Sequence, residues 1–304
     1  MMEIVKQTSK YKIGVIALLC SAFITAISQV FYANRVQGIH PFLFTGISFF
    51  VTALFFQFVA FKQKQTYYWS EARRPLLLLN GASILAFMGF YFALKYIEPA
   101  IVSALEMGIG PLFIVLMMLF QKQSARTSQW LIAIGTFIAC LFLIIAVLTG
   151  GTGVALEFSR YTILGLVASV LCGIGAVLCS IYSKQLSEVG WTSSMILSKR
   201  YIGIIIVSFM FTYDLIIPYF QENISWILVV TVFGVMLPMY LLQKGIQFTS
   251  VFIVMMSLCF IPVFTFIFQL FDSRISFSIV TLIGIVLLFV LGTLSVLDDS
   301  KTSE

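Results

Sequence analysis

One carboxylate stands inside an apolar stretch. Glu106, in Ser103-Ala-Leu-Glu-Met-Gly-Ile-Gly-Pro111, falls in the run from Pro99 to Phe120. If that run is a membrane-spanning helix, a rise of about 1.5 Å per residue puts Glu106 roughly 10 Å below the interface. A charge at that depth costs at least about 2.5 kcal/mol, so it is expected to face the bundle interior or a watery cavity and to mark a pathway. Two cations, Lys199 and Arg200, lie about two turns inside another apolar run. Neighbours on a helix point about 100° apart, so the two are not expected to share one cavity. Glu106 could hold an ammonium group or a proton, and an inward cation could hold a carboxylate. The structural alternatives are that Glu106 only ties helices together and that both cations snorkel to the headgroups.

Uncharged polar residues in apolar runs add weaker candidates: Gln29, Tyr32, Gln57, Asn80, Tyr91 and Gln243. Such groups commonly bond between helices, and together they could also line a cavity for a zwitterion-sized ligand.

Composition sets the frame that must position these groups. Hydrophobic residues make up 61% of the 304, charged residues 10%, and the mean hydropathy is +1.07. A soluble domain carries about 25% charged residues, so the chain reads as an all-α integral membrane protein. The net charge of +6 forms no basic face, so nucleic acid is not an expected partner. A lipid bilayer and a small-molecule substrate are.

Ten apolar runs follow one another, at roughly 12–33, 41–61, 76–94, 99–120, 129–148, 161–183, 192–213, 224–243, 249–270 and 277–297. Each approaches the length that crosses about 30 Å of hydrocarbon. Lys6, Lys10 and Lys12 before the first run imitate a signal peptide, but the run is longer than a signal core and is kept as helix one. With the N-terminus inside, most of the 18 cations fall on the cytoplasmic side and only Arg35, Lys95, Arg160 and Arg274 outside. That bias predicts both termini cytoplasmic.

The chain also repeats. Tyr91-Phe-Ala-Leu-Lys95 and later Gly110-Pro111-Leu-Phe113 parallel Tyr240-Leu-Leu-Gln-Lys244 and Ile261-Pro262-Val-Phe264. The expected units are 1–150 and 151–304, five helices each. An odd count forces the second unit into the membrane upside down, giving an inverted repeat of the kind many secondary transporters use. Pro111 and Pro262 are expected to break or bend helices four and nine and to serve gating, or else to be packing kinks.

With the five-plus-five repeat, Ala93-Leu-Lys-Tyr96 closing helix three and Pro111 in helix four, the chain resembles the drug/metabolite transporter superfamily in its EamA-like branch. Val102-Ser-Ala-Leu-Glu106 followed by Gly110-Pro111-Leu112 is similar to bacterial threonine/homoserine exporters. The resemblance implies an amino-acid or amino-acid-derivative exporter of the bacterial inner membrane, working by alternating access, with protons as a candidate coupling ion. It also favours Arg200 over Lys199 as the inward cation. Two family features are replaced: Ser48 stands where an Arg is common in helix two, and Gln121-Lys-Gln123 stands in place of Gly-Glu-Arg. Import or exchange of a larger, nucleotide-like cofactor is the alternative, and a non-transporting membrane protein the remoter one.

Catalysis finds little support. His40, the single histidine, precedes Pro41 at a helix start, and Cys20, Cys140, Cys172, Cys179 and Cys259 fall in apolar runs with no zinc spacing. No phosphate-binding loop is present. No enzyme activity, metal or cofactor is expected, and the chain is expected as a monomer or weak dimer.

Overall fold

The computed structural model describes residues 2–35, 38–62, 69–120, 122, 124–154 and 159–300, and among them there is no strand. The helices are α1 (Met2–Arg35), α2 (Pro41–Lys62), α3 (Trp69–Tyr96), α4 (Pro99–Phe120), α5 (Thr127–Leu148), α6 (Arg160–Glu188), α7 (Ser193–Leu215), α8 (Ile224–Phe248), α9 (Val251–Leu258), α10 (Phe260–Gln269) and α11 (Ile279–Ser300). Eight of them, α1 to α8, are long and apolar enough to cross a membrane, and α10 and α11 are shorter apolar helices. The chain is a multi-pass membrane protein.

Three departures from the expected spans have physical causes. The third helix starts at Trp69 rather than near 76, because Arg73 and Arg74 sit exposed on a polar first turn. The 249–270 run is two helices, α9 and α10, parted at Cys259. Pro262 is the third residue of α10, in the first turn, where a missing N–H leaves no helical bond unmade. Pro111, expected to break or bend its helix, does not break it: α4 runs continuously through it. The bond it removes is a single one in a span held on both sides by α5 and α6.

Two helices widen instead. Ile84–Met88 in α3 and Val230–Met236 in α8 are π-helical, each turn taking in an extra residue without leaving the helix. A third irregularity interrupts α7 at Arg200 and Tyr201, between Ser193–Lys199 and Ile202–Thr212. Both widened helices also end alike, on an extended residue whose N–H returns to a carbonyl one turn back: Ile97 to Ala93 and Thr249 to Gly245, each 2.9 Å.

The packing is reciprocal. Helix α1 lies along α8, α6 lies along α3, α2 lies along α7, and α5 packs on α11. The α6–α3 contact is backbone-close: a Cβ on Gly175 would stand 2.5 Å from the Ala86 nitrogen. Each end of the bundle is marked by its polar contacts. At one, Lys184 Nζ donates to the carbonyls of Thr249 (2.7 Å) and Ile246 (3.3 Å), and Trp69 stacks on Trp191. At the other, the Glu98 carboxylate accepts from Gly153 N at 2.8 Å. These are called the Lys184 face and the Glu98 face below.

Candidate functional site

The widened turns of α3 and α8 face one cavity, enclosing about 790 Å³ of space with its open end included. Ala86 and Phe87 line it from the first widened turn, and Gly234 and Val235 from the second. Most of the wall is apolar. The two formally charged residues on it are Glu106 of α4 and Arg200 of α7.

Arg200 is 2% exposed and sits where α7 is interrupted. Its Nε donates to Ser83 Oγ at 3.3 Å and its NH1 to Gln243 Oε1 at 3.5 Å. The guanidinium lies over the rings of Tyr201 (5.3 Å) and Phe87 (5.5 Å) and also bonds the Cys179 sulfur. The interruption has its own support. Asn80 of α3 donates to the Lys199 carbonyl at 3.0 Å and accepts from Gly203 N at 2.9 Å, bridging groups on either side of the break. Asn80 therefore holds the backbone that presents Arg200. It is not among the residues lining the cavity.

Glu106 is partly buried on the cavity wall, and the Cys172 thiol donates to its carboxylate. Cys172 and Cys179 both lie on α6, and seven residues of helix span about 10 Å. Glu106 is tied to the first level and Arg200 to the second. Neither forms an ion pair among the described residues. A buried guanidinium held only by neutral partners keeps donors for an anion, and the carboxylate keeps acceptors for a cation.

The other sequence candidates divide. Tyr91 lines the cavity, and its ring packs on Tyr32 (4.9 Å) and Phe44 (4.9 Å). Tyr32 is buried in that ring cluster with its hydroxyl unpartnered. Gln243 stands behind Arg200, its amide nitrogen unpartnered. Gln29 lies away from the cavity wall and ties helices together: it accepts from Ser103 Oγ of α4 at 2.8 Å and donates to Thr265 Oγ1 of α10. Lys199 is partly buried and off the wall, and Gln57 is exposed. Pro111 and Pro262 line a separate small apolar crevice, together with Cys259 and Thr136. Among the described residues no group of three His, Cys, Asp or Glu could hold a metal.

One acid escaped the sequence reading. Glu98, 1% exposed, lies in the turn between α3 and α4. It accepts from Gln269 Nε2, from Gly153 N and from Thr281 Oγ1 (3.3 Å). Burial raises its carboxyl above the ordinary range and these bonds pull it back. Its position just outside two apolar runs reads as a solvated loop, and only Pro99 hints at a fixed turn.

Residues 12–145 match the EamA-like transporter family. That EamA-like match covers α2 to α4 and most of α1 and α5, and so includes Glu106 but not Arg200. Of solved structures, one described only as "Crystal structure of protein" matches with a TM-score of 0.62 at 18% identity, over 98% of this chain and 99% of its own. The likeness is one of fold. No curated protein matches the chain.

Proposed function

We propose that the chain is an EamA-like secondary transporter that moves a small zwitterionic metabolite, an amino acid or a derivative, by alternating access, most simply outward across a bacterial inner membrane. The observation that carries this is the pair of opposite charges on one cavity wall, about 10 Å apart along the bundle and bound to neutral neighbours. Arg200 would take the carboxylate of the cargo, helped by the N-terminal end of the second half of α7, whose dipole favours an anion. Glu106 would take the ammonium group, or a proton when the cavity is empty.

In this reading α9 and α10 form one interrupted crossing, which makes ten crossings in two inverted units, 1–150 and 151–304, with both termini cytoplasmic. Support comes from the widened turns at 84–88 and 230–236, the matching ends at Ile97 and Thr249, and the reciprocal packing of α1 on α8 and α6 on α3.

The test is uptake into proteoliposomes of labelled amino acids, threonine and homoserine included, with and without a pH gradient. Saturable uptake that Glu106→Gln and Arg200→Ala each abolish is expected. Native-level uptake in both variants would remove the cavity charges from the path. Uptake by Glu106→Gln that still follows the gradient would remove Glu106 from proton coupling.

A further inference from the structure

We propose that the Glu98 cluster is the gate of its face, and that transport requires Gln269 to part from Glu98. The inference rests on the transporter reading and adds a moving part to it. The cavity extends toward the Lys184 face, where Leu242 and Ile246 of α8 and Ser180 of α6 line it. Toward the Glu98 face it ends at the layer of Tyr91, Tyr32 and Phe44. About two turns farther along the chain from Tyr91, the polar cluster ties that end of the bundle together.

Three features make the cluster a gate rather than a staple. Its bonds all join elements that lie far apart in the chain: Glu98, at the turn before α4, meets Gln269 at the end of α10, Gly153 before α6 and Thr281 in α11. Gln269 is engaged twice, since its Oε1 also accepts from Ala100 N at 3.2 Å. The helix that carries Gln269 is parted from α9 at Cys259, which the gate would use as its hinge.

The test is Glu98→Cys with Gln269→Cys, in a chain whose exposed Cys20 is replaced by Ser. Cross-linking the pair should cut uptake at least tenfold, and reductant should restore it. A cross-linked chain that carries substrate at the uncross-linked rate would overturn the gate. A second readout needs no cargo: Thr25→Cys, on the cavity wall, labelled by a membrane-impermeant maleimide applied from the Glu98 face. Gln269→Ala should speed that labelling at least fivefold over the chain with Gln269 intact. Equal rates in chains of equal melting temperature would also overturn the gate. If no amino acid is carried at all, the transport reading fails while the labelling still decides the gate.

Discussion

Ser83 and Thr231 stand 148 residues apart, each in a helix with a widened turn, and each contacts the helix packed beside it. Ser83 meets Arg200 of α7 at 3.3 Å, and Thr231 donates to Ser48 of α2 at 2.8 Å. The contact is the same in kind, but one partner is a buried cation and the other a hydroxyl. The backbone differs with it: α7 is interrupted at Arg200, while α2 runs unbroken through Ser48. The residue 148 after Asn80 is Leu228, which is exposed and cannot bridge a break. The acid follows the same pattern, since 151 residues on, the spacing of Pro111 to Pro262, Glu106 gives way to Ser257, whose hydroxyl bonds only its own helix. A matched frame thus carries an unmatched site, and the charge, the break and the bracket of the break occur together.

The largest expected effect comes from erasing that asymmetry. Arg200→Ser, which copies Ser48, should lower uptake on the order of 100-fold, about 2.7 kcal/mol, by removing the charged partner proposed for the cargo's carboxylate. Arg200→Lys should rescue little, because an ammonium cannot reach Ser83 and Gln243 together as the guanidinium fork does. Uptake assays at matched protein levels decide it.

Asn80→Leu, which copies Leu228, should come next. It leaves the Lys199 carbonyl and the Gly203 N–H without their side-chain partner, at about 1–3 kcal/mol in stability. Its melting temperature should fall and uptake with it, and an unchanged melting temperature would deny Asn80 its bracing role.

A smaller effect lies at the Glu98 face. Asp272 is held down to about 2 by Arg274, 2.6 Å away, with help from Asn34. A carboxylate held low stabilises the fold above its unfolded value and loses that contribution as the pH falls toward its folded one. Melting temperature should therefore drop between roughly pH 4 and pH 2, and Asp272→Asn should remove that part of the acid sensitivity. Smallest of all, Ser48→Ala should cost about 0.5–1 kcal/mol and leave uptake unchanged. A large loss of uptake there would break the contrast with Arg200.

The membrane class, most of the spans and the placing of Glu106 and Arg200 inside apolar helices were legible, because periodicity and desolvation act on single runs of sequence. What was not legible depends on neighbours distant in the chain. Gln29 reads as a cavity group until Ser103 and Thr265 take both ends of its amide. Asn80 reads as a ligand until Lys199 and Gly203 claim it. Pro111 and Pro262 look equivalent, yet their effects differ with their place in a helix: the first lies mid-span in α4 and the second in the opening turn of α10. Glu98 has no signal in its own segment beyond the neighbouring Pro99, since its hydrogen-bond partners come from Gly153, Gln269 and Thr281.

The widened turn of α3 lies between Asn80 and Tyr91. One added residue turns everything after it by about 100° about the helix axis. That rotation lets a single helix address two directions, with Asn80 set toward the joint in α7 and Tyr91 toward the cavity. Deleting one residue from 84–88 would leave a helix that still spans the bilayer and is locally more regular. Its two ends would be out of phase, and only one of those residues could keep its place.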